Sequence, residues 1–265
     1  MNKTTDHCII NGKLSQYVEE EIEKLFPNHY AYEVIRILNT QPLLFLQHYQ
    51  RFENTCQKAG YGMLPKREVL EQEILDLIKI DQLDNTNIKI VVTGELRVVF
   101  SIPAVYPTQQ EYREGVLCRL LFEERKNPKL KIYQAELRQK ADAKKAEKHV
   151  FESLLVNKQG FITEGSKSNI FFIKGRDLYT APDDMVLSGV TRQKVIEICA
   201  DLSLKIHTQP VHYKDIDTYE AAFICGTSPG VLAVNAIEDI ALQASHPLIR
   251  QIHQLYSLSC TNGYQ

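Results

Sequence analysis

Apolar and polar residues alternate with a period of two from Tyr32 to Ile37, so Tyr32, Val34 and Arg36 share one strand face and Glu33, Ile35 and Ile37 the other. Similar runs predict strands at 7–10, ahead of an Asn11-Gly12 turn, at 42–46 after the turn Asn39-Thr40-Gln41, and at 87–92, 96–102 and 115–123. Further on they predict strands at 151–156, 161–165, 169–173, 177–180, 205–211, 221–225 and 231–234. Helical spacing appears at 19–26, 45–59, 66–80, 134–149, 190–202 and 247–258. The segment 129–133 is extended and follows the Asn127-Pro128 break, while 103–114, with Pro103 and Pro107, has the composition of a linker. This mixture predicts an α+β chain of two lobes, residues 1–110 and 115–265.

Composition agrees with that division. The chain of 265 residues is near the size at which one core splits in two. Its 44% hydrophobic and 24% charged residues are normal for a protein with a sizeable buried core. A net charge of −2 gives no electrostatic case for nucleic acid or an anionic membrane. No apolar run reaches transmembrane length and the first residues carry no signal-peptide core, so the expected location is the cytoplasm. The six cysteines lie far apart without a C-x-x-C pair and read as reduced core thiols. The histidines show no metal-ligand spacing, and no metal is expected.

Several residues have both a bland and a chemical reading. Ser188-Gly189-Val190-Thr191-Arg192 opens a helix, where free N–H groups and the positive dipole end favour an anion, although Ser188 could equally be a plain N-cap. Glu164, alone, is a charge at a strand end. Tyr32 and Arg36 on one face could line a pocket or simply meet water. His48 and Arg51 share a helix side, and Gly226-Thr227-Ser228-Pro229-Gly230 reads as a turn after a strand. Lys140, Lys144 and Lys148 form a solvated stripe.

The order T-E-G-S-x-S-N-I-F (163–171) followed by L-x-G-V-T-R (187–192) resembles the aminotransferase class IV family, the pyridoxal-phosphate enzymes of fold type IV. The resemblance implies a small N-terminal α/β lobe and a larger, mixed, β-barrel-like C-terminal lobe with helices, and pyridoxal 5'-phosphate as cofactor. It implies Lys131, between Leu130 and Ile132, as the Schiff-base lysine, with Lys129 on the same strand face as its nearest rival. Glu164 would face the pyridine nitrogen, and the phosphate would rest on Val190, Thr191, Thr227 and the Arg51 of H-x-x-R. Tyr32, Arg36, Arg97 and Ser228 are left for substrate. The chain departs from the family wording in having Gln134 in place of the Asn of K-x-x-N, Asn28-His29-Tyr30 in place of Gly-Asp-Gly, and no arginine-glycine pair near Arg97. The resemblance also implies a homodimer. The short chain and the missing arginine-glycine pair favour 4-amino-4-deoxychorismate lyase, which is the reading taken from the sequence; the wording E-G-S-x-S-N-I-F makes a D-amino-acid or branched-chain transaminase the alternative, and loss of the chemistry would leave a ligand-binding relative.

Overall fold

The computed structural model describes residues 6–262 apart from Met63. The chain forms two compact units, one of residues 1–105 and 130–135, the other of residues 106–129 and 136–265. Lys131 therefore packs with the first unit, although the linker composition alone placed it in the second lobe.

In the first unit the elements in chain order are β1 (His7–Ile10), β2 (Lys13–Gln16), α1 (Glu19–Glu23), β3 (Ala31–Leu38), β4 (Gln41–Pro42), α2 (Phe45–Ala59), α3 (Arg67–Ile80), β5 (Thr86–Thr93) and β6 (Leu96–Ile102). They build a six-stranded antiparallel sheet in the order β2-β1-β6-β5-β3-β4. The β1–β2 hairpin turns through Asn11 (φ 48°) and Gly12 (φ 84°), the two left-handed residues that a tight twisted hairpin requires. The alternation read in β3 is real: Glu33, Ile35 and Ile37 are buried and Tyr32, Val34 and Arg36 half-buried. Ile35 and Ile37 join Phe52 and Cys56 of α2 and Leu70, Ile74 and Leu77 of α3 in one core. Each such side chain contributes about 1.5–3 kcal/mol on burial. The expected strand 42–46 is cut to two residues, because Leu44 takes a left-handed φ of 51° and α2 begins at the next residue.

The second unit comprises α4 (Gln109–Glu114), β7 (Val116–Leu121), α5 (Ala135–Lys148), β8 (Glu152–Val156), β9 (Phe161–Gly165), β10 (Asn169–Lys174), β11 (Asp177–Tyr179) and α6 (Val190–Asp201). There follow β12 (Ile206–His207), β13 (Val211–His212), a 3-10 turn (Tyr213–Thr218), β14 (Ala221–Gly226), β15 (Gly230–Ile237), β16 (Ile240–Ala241) and α7 (Pro247–Asn262). Its ten-stranded sheet runs β12-β11-β10-β14-β15-β7-β8-β9-β13, with β16 on β15, and no pairing among the described residues closes it into a barrel. The β7–β8 and β7–β15 pairs are parallel and most others antiparallel. Strand β8 and the first five residues of β10 and β14 are buried on both faces, which accounts for their unbroken apolar runs. The expected strand 205–211 is two short strands, parted by Thr208-Gln209-Pro210. The expected linker contains α4, started by a capping box in which Thr108 accepts from the Glu111 N–H and Glu111 accepts from the Thr108 N–H.

Candidate active site

In the first unit the segment before α5 lies antiparallel to the start of β3: the Tyr32 N–H donates to the Lys131 carbonyl at 3.1 Å and the Tyr133 N–H to the Tyr30 carbonyl at 2.8 Å. The Lys131 N–H donates to the hydroxyl of Thr55, which itself donates to the Arg51 carbonyl inside α2. Sheet and helix thus fix the Lys131 backbone together. Its ammonium lies over the Tyr32 ring, 4.8 Å from the centroid, a cation–π contact that holds the amine at a defined place.

Beneath Lys131 is a charged cluster on the core face of β3. Glu33 is fully buried and receives a two-pronged contact from Arg51, Nε to Oε2 at 3.0 Å and Nη2 to Oε1 at 2.7 Å. His48 Nδ1 is 3.2 Å from Glu33 Oε1, outside regular hydrogen-bond geometry. Burial alone would raise the Glu33 carboxyl, but Arg51 and then His48 outweigh it and hold it well below the carboxylate range. Burial pushes the His48 imidazole down, against the pull of Glu33. The H-x-x-R pair was read in the sequence, but Glu33 as its shared partner was not, because helix spacing does not reveal which strand the helix covers.

Arg36 and Tyr32 share the half-buried face as expected. Arg97 is placed differently from the expectation. Its guanidinium forks onto Glu73 of α3, Nη2 to Oε1 at 2.9 Å and Nη1 to Oε2, so the donors intended for a substrate carboxylate serve an internal ion pair.

In the second unit Glu164, the last residue but one of β9, has 2% of its surface exposed. Its Oε1 accepts from Arg125 Nε at 2.6 Å and its Oε2 from the Leu187 N–H at 3.1 Å. A carboxylate offers about four lone-pair sites, so two remain for another donor. Arg125, absent from the sequence reading, stands in an ordinary-looking Glu-Glu-Arg-Lys run whose only signal is the three-dimensional pairing.

Two segments complete this unit's candidate residues. Helix α6 has Gly189 at its N-cap with no side-chain cap, so the N–H groups of its first turn have no side chain closing them off. Ser188 does not cap it; its hydroxyl receives Gln193 Nε2 at 2.7 Å. A Cβ at Gly189 would stand 2.2 Å from Asn169 Oδ1, so a larger residue would have to displace the Asn169 amide, whose Nδ2 ties the same loop through the Leu187 carbonyl at 2.9 Å. Buried Arg192 anchors the first turn of α6 to Asp183 (2.5 Å) and the Ala181 carbonyl (3.0 Å). Thr191 Oγ1 lies 3.5 Å from the Tyr256 hydroxyl of α7. Thr227 and Ser228 occupy the half-buried tip of the β14–β15 hairpin, between paired Gly226 and Gly230. No group of three or more His, Cys, Asp or Glu side chains among the described residues is arranged to hold a metal.

Each unit by itself has features that fit pyridoxal 5'-phosphate: the first a fixed lysine amine against an aromatic ring, the second a buried carboxylate with lone pairs left and a helix start lacking a side-chain cap. Comparison with known proteins agrees. The model of amino-transferase class IV matches residues 30–237, and the chain belongs to that family. Its members are pyridoxal-phosphate enzymes, and a branched-chain aminotransferase structure of the same fold is described with pyridoxamine 5'-phosphate.

The chain is 25% identical over 238 residues to a D-alanine aminotransferase of Bacillus licheniformis, 82% of each protein. A Rickettsia felis protein named "Probable branched-chain-amino-acid aminotransferase" is 36% identical over 87 residues, which is 33% of this chain but only 30% of that protein. The fold matches Escherichia coli branched-chain amino acid aminotransferase with a TM-score of 0.86 at 18% identity, over 97% of this chain and 95% of that one. It also matches a Legionella pneumophila protein provisionally named 4-amino-4-deoxychorismate lyase, TM-score 0.78 at 19% identity, over 86% and 90%.

Proposed function

We propose that this chain is an amino-acid transaminase acting at the Cα of a D-amino or branched-chain amino acid, with Lys131 as the residue that bonds the cofactor. The observation carrying the reading is the setting of Lys131, its backbone fixed by Tyr32 and Thr55 and its ammonium held over the Tyr32 ring. The similarity to D-alanine aminotransferase over 82% of each protein supports transamination over the lyase reaction favoured by the chain length and the missing arginine-glycine pair.

Bound pyridoxal phosphate supplies a ring that absorbs the electron pair released at Cα. In this reading Lys131 Nζ moves the Cα proton, and Glu164 accepts a hydrogen bond from the ring nitrogen with the lone pairs that Arg125 and Leu187 leave. The N–H groups of Val190 and Thr191 and the Thr227 hydroxyl take the phosphate, while Arg51, expected from H-x-x-R to share it, has its fork on Glu33. Tyr32, Arg36 and Ser228 orient the substrate. Arg97 is left out of that set in this reading, since its fork pairs with Glu73.

The test is borohydride reduction of the purified yellow protein, digestion and mass spectrometry, with the cofactor mass expected on Lys131. A mass on Lys129, or none, refutes the assignment; none also favours the non-catalytic relative. Keto-acid-dependent turnover of D-alanine or a branched-chain amino acid is expected in the companion assay. The lyase stands as a second reading because the chain lacks the arginine-glycine pair near Arg97 that family members often use for a substrate carboxylate. Release of 4-aminobenzoate without transamination would establish it. Light scattering of the purified protein tests the dimer that the family resemblance implies.

A further inference from the structure

The E-G-S-x-S-N run closes around a carboxylate outside it. Glu152, the first residue of β8, is 3% exposed. Its Oε1 accepts the Ser153 N–H at 2.9 Å and the Ser166 hydroxyl at 2.6 Å. Its Oε2 accepts the Lys167 N–H at 3.1 Å and the Ser168 hydroxyl at 2.8 Å. Burying a carboxylate is costly unless it is bonded, and here four donors meet it. Gly165 makes room for this: a Cβ there would lie 2.1 Å from Ser168 Oγ and 2.9 Å from Glu152 Oε2.

The turn held in this way is joined to the residue proposed to serve the cofactor. Ser166, fixed by Glu152 through its hydroxyl, accepts Arg125 Nη2 on its carbonyl at 3.2 Å, and Arg125 Nε donates to Glu164 at 2.6 Å. We propose that Glu152 is a positioning residue for the reaction: by gripping the turn 165–168 it sets Ser166 under Arg125, and through Arg125 it fixes where the Glu164 carboxylate stands. This deepens the proposed function and rests on Glu164 facing the cofactor ring nitrogen.

The substitution Glu152→Gln tests it. Gln keeps the shape but replaces one oxygen with an NH2. The serine hydroxyls can rotate to accept from it; a backbone N–H cannot. Whichever way the amide turns, the NH2 faces either the Ser153 or the Lys167 N–H, and one donor is stranded.

The experiment loads wild-type protein and Glu152→Gln with pyridoxal phosphate labelled with nitrogen-15 in the ring, and records the nitrogen shift against pH alongside kcat and KM. Wild type is expected to show a protonated ring nitrogen across neutral pH. In Glu152→Gln the signal is expected to move toward the unprotonated position. The accompanying loss in kcat is expected to be about 10–100-fold, the scale seen when residues supporting a site's own ligands are removed, with KM changed by less than about threefold.

A folded Glu152→Gln protein with the wild-type nitrogen shift and pH dependence overturns the inference while leaving the site reading intact. A wild-type protein that takes up no cofactor sinks the site reading and this inference with it. If Glu152→Gln does not fold, Ser166→Ala and Ser168→Ala, which each remove one donor and leave three, carry the same test. A shift toward the unprotonated signal in them supports the inference and unchanged spectra overturn it.

Discussion

Arg51→Met is the most informative single change in the first unit, because it strips the fully buried Glu33 carboxylate of its guanidinium partner and leaves it beside the imidazole of His48. In wild type the Arg51 fork covers both Glu33 oxygens, and the side chains are 11% and 0% exposed, so water does little to screen the pair. Removing one partner of such a buried pair costs about 3–5 kcal/mol. With a urea slope of about 2 kcal/mol/M, that lowers the unfolding midpoint of the cofactor-free protein by about 1.5–2.5 M. The double variant Arg51→Met with Glu33→Gln removes both charges and is expected to regain most of the loss. The folded carboxyl of Glu33 is depressed from its ordinary value of 4.5, so its contribution is present above that pH and is lost as pH falls below it. Glu33→Gln should therefore flatten the acid side of the stability profile. A single variant within about 0.5 M of wild type, or a double variant no better than the single, would refute the reasoning.

Other expectations concern separate parts of the chain. Gly189→Ala drives a Cβ to 2.2 Å from Asn169 Oδ1, and a loss of about 1–3 kcal/mol is expected from thermal melts, with weaker cofactor retention on dialysis. Arg97→Met, which breaks the pair with Glu73, is expected to lower stability while leaving KM for the amino substrate within about threefold of wild type; a tenfold rise in KM would return Arg97 to the substrate. Burial pushes the thiols of Cys56, Cys199 and Cys225 up to about 12. A disulfide reagent at pH 8 is accordingly expected to titrate all six cysteines only after unfolding, and fast reaction of the native protein at any of these three contradicts their burial.

What could be read from the sequence follows the range of each interaction. The β3 face pattern, the α2 spacing and the Asn11-Gly12 turn are local, and each stands where the alternation or turn chemistry put it. The capping box at Thr108 and Glu111 was equally local, but the two nearby prolines drew that stretch toward a linker reading. Strand 205–211 failed because its apolar count ignored Pro210, which supplies no donor to a ladder. The site partners were hidden for a different reason. Glu33 and Arg51 are 18 residues apart, Arg125 and Glu164 39, and Arg97 and Glu73 24, and no periodicity links such pairs. The family wording identified Glu164 and Lys131 as candidates but carried no trace of what holds either in place.

The return of residues 130–135 to the first unit bears on how the protein is made. A nascent chain that has passed residue 105 has every strand of the six-stranded sheet, yet the Tyr30–Tyr32 edge still lacks the backbone partners that Lys131 and Tyr133 supply. That edge is completed only when the ribosome has released residue 135, after β7 of the other unit has already emerged. A gene fragment ending at residue 105 would therefore express a sheet with an open seam and without Lys131, the residue proposed to bond the cofactor.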